Sequence, residues 1–577
     1  MTGPADWRAR LGLAGWRGRL PDRQRLHAVR RRSQEVLLLA GAVGAAVGLV
    51  VAAFEWITAE VLLDQVLRLP LWAAAGAPLV GLLAAAGALR WGAHRASPAT
   101  ADEYIRNFHD PTRHLDPRPV AGRMVAAVAS LGLGGALGYE GPALYAGAAV
   151  GAAVQRRLKR HFTADQIKVL LVAGAAAGVA AIFKAPVTGL VFALEVPYQE
   201  DLARRTLLPA AMAAATSYVT FVAFTGTSPL LPVAGQPPFN LVDLGGAAAV
   251  GVAAGFFARL FIVVINAAKR VALMDRPGLR AVGAGVVLGG LFLVGHGLAG
   301  TNFTLGPGYD ALRWALEPDR SVLLILALAT MRVAATATTI AGGGVGGLFI
   351  PLVIQGALVG RVASEMFDPS NPTLFPVVGI VAFLGAGYRV PLAAVVFVAE
   401  FTGRPGFIVP GLIAAVVAQL VMGRASVSAY QVAGRVGHLE HRLRLPLAAV
   451  VDAEVRTVPS DATAEELFWQ HLVGMRRRSV AVVDGTTYRG LASAEELAEL
   501  PHEQWATTTV GAIMRTDLPV ASNRWLLEDA IRAMEAADID QIAVCDDERF
   551  VGTITSTDLV QLGELLEQRG TNRPDAG

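Results

Sequence analysis

Gly138-Tyr139-Glu140-Gly141-Pro142, continuing to Gly147 and Val150-Gly151, recurs without a gap as Gly347-Leu348-Phe349-Ile350-Pro351, Gly356 and Val359-Gly360, an offset of 209 residues. A second match follows in the same order: Phe183, Pro186, Phe192 and Glu195 fall on Tyr388, Pro391, Phe397 and Glu400 at an offset of 205. Shared Gly and Ala would mean little in a chain rich in both, but shared Pro, Phe and Glu at fixed spacing mark an internal repeat. Each copy of the first motif has the chemistry of a helix start. Gly permits a tight backbone and close approach, and Pro sits where the missing N–H costs nothing. Such a start presents unpaired N–H groups and the positive end of the helix dipole, which bind an anion without a full positive charge.

The surroundings of the motifs are membrane. Of 577 residues, 54% are apolar and only 17% charged, against roughly a quarter charged in soluble domains, and mean hydropathy is +0.48. Apolar segments recur from about residue 35 to 430, among them 36–63, 71–89, 207–224, 244–265 and 322–340. Several others, such as 167–182, 281–294, 377–384 and 408–422, fall short of the roughly 20 residues that cross the hydrocarbon as a straight helix. Those segments must be tilted, broken or re-entrant, and irregular backbone at membrane depth is tolerated only inside protein or along a cavity. Paired, interrupted helices in two halves are the pattern of a transporter with a midplane site. If the halves are inverted, the two helix starts converge there from opposite leaflets. Glu140 then stands at the mouth of an anion site, where its own charge fills the site in the absence of an anion and protonation releases it; the bland alternative is a helix-capping Glu.

Charge is divided along the chain. From residue 447 onward lie 23 of the 47 acids but 11 of the 50 bases, leaving 24 acids and 39 bases before it. The first 34 residues carry nine arginines against Asp6 and Asp22, which by the positive-inside rule puts the N-terminus in the cytoplasm. The apolar run directly after them argues against a nucleic-acid arm, and residues 36–53 are too long for a signal-peptide core. The single cysteine, Cys545, excludes a disulfide framework and a cysteine-based zinc or iron–sulfur site. No hydrolase, kinase or metal-ligand spacing occurs, so the chain does not read as an enzyme.

After Leu445-Pro446 the period changes and a second repeat begins at an offset of 62: Ser479 to Asp484 matches Gln541 to Asp546, and Gly490 to Leu497 matches Gly552 to Leu559. Each copy reads as a helix, a β-branched strand, a turn and a strand leading into a helix. The expected organisation is a basic cytoplasmic segment (1–34), a membrane transport domain (35–435), a linker (436–446), two α/β units (447–505 and 506–569) and a disordered tail (570–577). Arg476-Arg477-Arg478 could neutralise phosphate, although such a run is more often a solvated face or a lipid contact.

The two motifs, with Phe183-Lys184-Ala185-Pro186 leading to Phe192 and Glu195, resemble the CLC family of chloride channels and chloride/proton antiporters over roughly residues 35–435, and the trailing pair resembles CBS domains. The resemblance implies an all-α polytopic membrane domain with an inverted internal repeat, followed by an α/β CBS pair, in a homodimer with one anion path per subunit and about 18 mostly tilted helices. It makes Glu140 the gating glutamate. It aims the amides of Leu348 and Phe349 at the central anion and those around Gly138, Tyr139, Gly141, Gly347 and Ile350 at the path and the outer anion.

The departures from the family pattern bear on mechanism. Ala99 stands where the family has a serine whose hydroxyl donates to the central anion; Thr100 one residue on is a substitute, unless Thr100 or Asp102 is a helix cap. Ser428 holds the position expected for a family tyrosine, with Tyr430 two residues later. Val196 replaces the glutamate that in many family antiporters loads protons from the cytoplasm, and Glu195 beside it points about 100° away, which favours a buried carboxylate paired with Arg or backbone over a relay. Glu140, Glu195 and Val196 thus mark the proton path to be tested. The missing carboxylate favours a passive chloride channel, with a chloride/proton antiporter as the alternative and a fluoride exporter or a CBS-regulated divalent-cation channel further off. No cofactor is required. Thr555 and Asp558, and Ser493 and Glu496 in the first copy, match the Thr/Ser-x-x-Asp segment by which CBS domains hold a ribose, implying a regulatory adenine nucleotide (ATP, ADP or AMP), with a purely structural pair as the rival. The partners expected are chloride or another small anion, protons, the lipid bilayer, a second copy of the chain and adenine nucleotide, with no nucleic acid, in a bacterial inner membrane with the CBS pair cytoplasmic.

Overall fold

The structure is a computed structural model that describes residues 23–110, 114–158, 162, 168–228, 240–317, 320–367, 373–434, 446–449, 451, 455–473, 479–547, 549–556 and 558. Most of the arginine-rich segment, most of the linker, residues 476–478 and the tail 570–577 lie outside the described residues. The chain divides into two compact units, Met1–Gly434 and Arg435–Gly577.

The first unit is helical. Its long helices are α1 (Arg23–Glu55, prolonged through a π-helical Trp56–Leu63 and Asp64–Arg68), α2 (Leu71–Gly87), α3 (Thr100–His109), α4 (Arg118–Gly132) and α5 (Glu140–Arg157). They are followed by α6 (Val169–Ile182), α7 (Pro186–Glu195), α8 (Leu207–Thr225), α9 (Leu241–Ala272), α10 (Pro277–Ala299), α11 (Tyr309–Leu316), α12 (Val322–Ala341) and α13 (Phe349–Phe367). The unit closes with α14 (Leu374–Tyr388), α15 (Pro391–Thr402) and α16 (Ile408–Met422). Among the described residues eight helical stretches are long and apolar enough to cross a membrane. Their outward faces keep large apolar side chains exposed, including Leu38, Val219, Phe256, Val286 and Leu420, a surface that matches hydrocarbon and not water.

The short helices lie at the centre. At 1.5 Å per residue, the 14 residues of α6 span about 21 Å, short of the roughly 30 Å hydrocarbon, and every residue from Val169 to Ile182 is buried. The same holds for α14, buried throughout. Repeated glycines let these helices press together. A Cβ at Gly147 would collide with the Gly174 carbonyl oxygen between α5 and α6, and one at Gly356 with the Gly379 carbonyl oxygen between α13 and α14; Gly147 and Gly356 are partners at the 209-residue offset. Equivalent residues of the two halves pair antiparallel, in agreement with an inverted repeat: Gly138 N–H donates to the Gly347 carbonyl at 2.9 Å and Gly347 N–H to the Gly138 carbonyl at 2.8 Å. Arg332 is fully buried and donates to the carbonyls of Thr304 (2.9 Å) and Gly306 (2.6 Å), the interior polar setting that an intramembrane arginine needs.

The second unit contains a six-stranded mixed sheet in the order β1-β2-β3-β6-β5-β4, with β1 (Thr457–Val458), β2 (Ser479–Asp484), β3 (Thr487–Ser493), β4 (Val520–Ser522), β5 (Gln541–Asp546) and β6 (Arg549–Thr555). The 62-residue repeat is visible in the register. Ser479 faces Ser493 as Gln541 faces Thr555, and the irregularity between Val482 and Val483 recurs between Val544 and Cys545. The copies join where Thr487 pairs with Arg549, itself an equivalent pair, and at the other end of the hairpins Ser479 Oγ donates to Gln541 Oε1 at 2.9 Å. Helix α17 (Ala494–Glu499) follows β3, and α18 (Leu527–Ala537) packs Leu527, Ala530 and Met534 onto β5 and β6 through Ile542, Val544 and Ile554.

Candidate anion site

Glu140 is the first residue of α5 and Phe349 the first of α13, and the Gly138–Gly347 bridge holds the two helix starts face to face. Pro142 and Pro351 are the third residue of their helices, within the first turn whose N–H groups have no intrahelical acceptor. Glu140 is 2% exposed, and its Oε1 accepts the Phe349 N–H at 2.6 Å. The equivalent of one motif's carboxylate therefore binds the equivalent amide of the other, since 140 and 349 are themselves offset partners. Glycine makes the room: a Cβ at Gly347 would collide with Oε1 and one at Gly138 with Oε2. Among the described residues Glu140 Oε2 has no hydrogen-bond partner. A carboxylate seated on a helix-start amide occupies the place of a small anion, and protonation removes the charge that holds it there.

Beside this carboxylate opens a cavity of about 290 Å³. Gly347, Leu348 and Tyr388 line it together with Ala99, Thr100, Ser428 and Tyr430, so the side-chain positions singled out in sequence converge on one space. Ala99 contributes no polar group. Thr100 does: it is fully buried, its hydroxyl has no partner among the described residues, and a Cβ on Gly141 would come within 2.9 Å of that hydroxyl. The Ser428 hydroxyl is likewise buried and without a partner. Tyr430 is half exposed, with the Arg106 guanidinium 5.7 Å from its ring centroid. The capping roles weighed for α3 are absent: its N-cap is Ala99 without a side-chain bond, and Asp102 bonds instead to Lys269 and to the Ala429 N–H. Tyr388, unremarked in the sequence except as the repeat partner of Phe183, has its hydroxyl 3.3 Å from the Leu348 N–H, which donates to it. A hydroxyl where the other half carries Phe was the available signal. Tyr139 is placed differently, its ring edge-on to Phe54 and its buried hydroxyl unpaired, and Ile350 is buried as the second residue of α13.

Glu195 and Glu400 form a reciprocal pair of caps. Glu195, at the end of α7, accepts from Leu392 N–H (3.2 Å) and Ala393 N–H (2.8 Å) at the start of α15. Glu400 accepts from Val187 N–H (3.0 Å), Thr188 N–H (2.7 Å) and the Thr188 hydroxyl (2.6 Å) at the start of α7. Both helices begin with Pro. Each carboxylate thus meets the positive end of the other helix. Val196 is 1% exposed and its carbonyl accepts from Gln431 Nε2 at 2.9 Å.

A family description for voltage gated chloride channels matches residues 80–423, and one for the CBS domain matches residues 510–564. The chain belongs to the CLC family. CLC relatives include a ClcB-like chloride channel protein of Ralstonia nicotianae, 25% identical over 441 residues that cover 72% of this chain and all of the relative. An H(+)/Cl(-) exchange transporter ClcA of Vibrio vulnificus is 29% identical over 422 residues, covering 67% of this chain and 87% of the relative. The fold is similar to that of a slow cyanobacterial Cl-/H+ antiporter (TM-score 0.60, 21% identity, 67% of this chain and 94% of that one). As a CLC protein with apolar helices of spanning length, the chain is an integral membrane protein, and its C-terminal region is a CBS region built on the small mixed sheet.

The candidate ribose residues of the CBS region bond to one another in this structure. Asp558 Oδ2 accepts the Thr555 N–H at 3.0 Å, and the Asp558 N–H donates to Thr555 Oγ1 at 3.1 Å. In the first copy Glu496 accepts from the Ser493 N–H at 2.8 Å and from its hydroxyl, while Ser493 Oγ accepts from Glu495 N–H at 3.1 Å. Both are capping boxes.

Proposed function

We propose that this CLC protein exchanges chloride for protons across a bacterial inner membrane as a homodimer, with the N-terminus and CBS region on the cytoplasmic side. The expectation of a passive channel, placed first on the strength of Val196, gives way to its alternative because relatives matched over two thirds of the chain are named as exchange transporters. The observation that carries the mechanism is the 2.6 Å bond from the Phe349 N–H to Glu140 Oε1. One amide serves either the carboxylate or an anion, so a chloride ion arriving through the cavity competes with Glu140 for that donor. Displacing the carboxylate is easiest when it takes up a proton, which ties anion entry to proton uptake at one atom. The exchanged species meet at the same helix starts without any cofactor. An adenine nucleotide at Thr555 and Asp558 would act on this cycle from the CBS region, and it would have to replace the capping bonds that those residues now make.

Val196 remains the specific observation in favour of the channel, and purified protein in liposomes under a chloride gradient separates the two. Uphill proton uptake driven by chloride efflux and lost in Glu140→Ala supports exchange. Efflux that requires an added potassium ionophore, with no proton movement, rejects it in favour of the channel. Among the described residues no cluster supports the divalent-cation reading: Glu140, Glu195 and Glu400 are each engaged by backbone amides of the opposite half.

A further inference from the structure

The cavity beside Glu140 keeps two buried hydroxyls without a partner among the described residues, and its charged groups gather around one ion pair. Four charged residues line it: Asp102, Glu103, Arg106 and Lys269. Glu103 turns to Arg123, 3.4 Å away, and accepts from Asn107 at 2.9 Å. Among the described residues Arg106 has no acidic partner and rests over Tyr430. Lys269, in the last turn of α9, donates to Asp102 Oδ2 at 2.9 Å and to the Val427 carbonyl at 2.7 Å. An ammonium has three donors, so these two bonds leave one. Asp102 Oδ1 accepts the Ala429 N–H at 3.2 Å. The pair therefore grips the chain on both sides of Ser428, whose hydroxyl is one of the cavity's two buried hydroxyls without a partner; fully buried Thr100 carries the other.

We propose that Lys269 is the cationic ligand of the small inorganic anion in this cavity, held in reserve by Asp102, and that the pair also positions the Ser428 hydroxyl as a donor to that anion. The arrangement answers the loss of a hydroxyl at Ala99: a charge from α9 enters the site from which α3 has withdrawn a polar group. Asp102 neutralises the ammonium while the cavity is empty of anions, which lowers the cost of keeping a cation in a low-dielectric setting. An anion that enters accepts the third N–H and shares the charge with Asp102. The four charged groups that line the cavity cancel, and Glu103 is further met by Arg123 behind it, so the acids there do not leave the cavity a net repulsion for anions.

The inference rests on the cavity being the anion path of the proposed transporter. The test is chloride binding by the purified full chain, titrated calorimetrically, with half-saturating chloride for flux measured in liposomes. Lys269→Met keeps the apolar stem and removes the charge; it weakens chloride binding about tenfold, and Lys269→Arg restores most of it. Asp102→Asn keeps an acceptor for Ala429 and frees the ammonium, so binding tightens severalfold. The double variant returns toward wild type. Opposite signs for the two single changes are the expected signature of a charge in reserve. A merely structural clamp would loosen Ser428 in either variant, and binding that weakens in both, or moves in neither, overturns the proposal. Wild-type protein that binds chloride but couples no protons overturns only the exchange reading and leaves the sign test standing, whereas wild-type protein that binds no chloride overturns both.

Discussion

Replacing Glu195 with alanine removes the acceptor from the Leu392 and Ala393 N–H groups at the start of α15. A lost helix cap costs about 0.5–2 kcal/mol, and a buried N–H left without a partner about 1–3 kcal/mol. Two such groups set an upper bound of about 6 kcal/mol, from which relief of burying the carboxylate must be subtracted. The net expectation is about 2–3 kcal/mol, a shift of roughly 30- to 150-fold in the unfolding equilibrium. Glu400→Ala, which strips two backbone donors and the Thr188 hydroxyl from α7, should fall in the same range. Glu195→Gln keeps one acceptor and should recover part of the loss. The assay is denaturant unfolding of purified protein in detergent, followed by tryptophan fluorescence, with the proton-to-chloride ratio measured in liposomes on the fraction that stays folded. A cap predicts lower stability and an unchanged ratio. A Glu195→Ala protein with wild-type stability and no proton coupling would refute the capping argument and make Glu195 the relay.

Three further outcomes follow from contacts elsewhere. Gly147→Val should abolish recovery of folded protein, because even a Cβ there meets the Gly174 carbonyl, whereas Gly290→Ala, whose Cβ would meet nothing within 4 Å, should elute as wild type on size exclusion. Tyr388→Phe removes the hydroxyl beside the Leu348 amide and should change half-saturating chloride severalfold in liposome flux; an unchanged value would show that the hydroxyl is not part of the anion site. In the CBS region, the Ser460 N–H and hydroxyl, each 2.9 Å from Asp484, and then Arg489 hold the Asp484 carboxyl below its ordinary value. A depressed folded-state value means that the contribution is complete above the ordinary carboxylate range and is lost as pH falls through the folded value. Hydrogen exchange at β1 in the intact protein should therefore accelerate under acid, and Ser460→Ala should move that onset to higher pH.

The helix starts and their repetition were legible because Gly, Pro and Glu recur at fixed offsets, and the CBS copies because a strand-turn-strand pattern repeats at 62. That the halves are inverted came from the family resemblance and not from the offset, which carries no orientation; the antiparallel Gly138–Gly347 pairing agrees with it. Glu195 reads in sequence as a buried carboxylate paired with Arg or backbone, but capping patterns familiar from sequence are local, and its partners lie about 200 residues away. Lys269, beside Arg270 in the last turn of its helix, carries no motif that would single it out in sequence; the fold brings it to Asp102. Thr555 and Asp558 illustrate a different limit: a ribose motif and a capping box use the same residue types at the same spacing, and only the contacts distinguish them.

The reciprocal caps give the protein a timetable. Val187 and Thr188 leave the ribosome 213 and 212 residues ahead of the carboxylate that will accept from them, an interval of about 10–40 s at ordinary translation speeds. Over that time α7 is already apolar enough to enter the bilayer but lacks the acceptor that completes its first turn. Leu392 and Ala393, by contrast, are born with Glu195 already waiting. Assembly is therefore asymmetric in time although the product is symmetric in space, and the earlier half must be sheltered until the later one arrives.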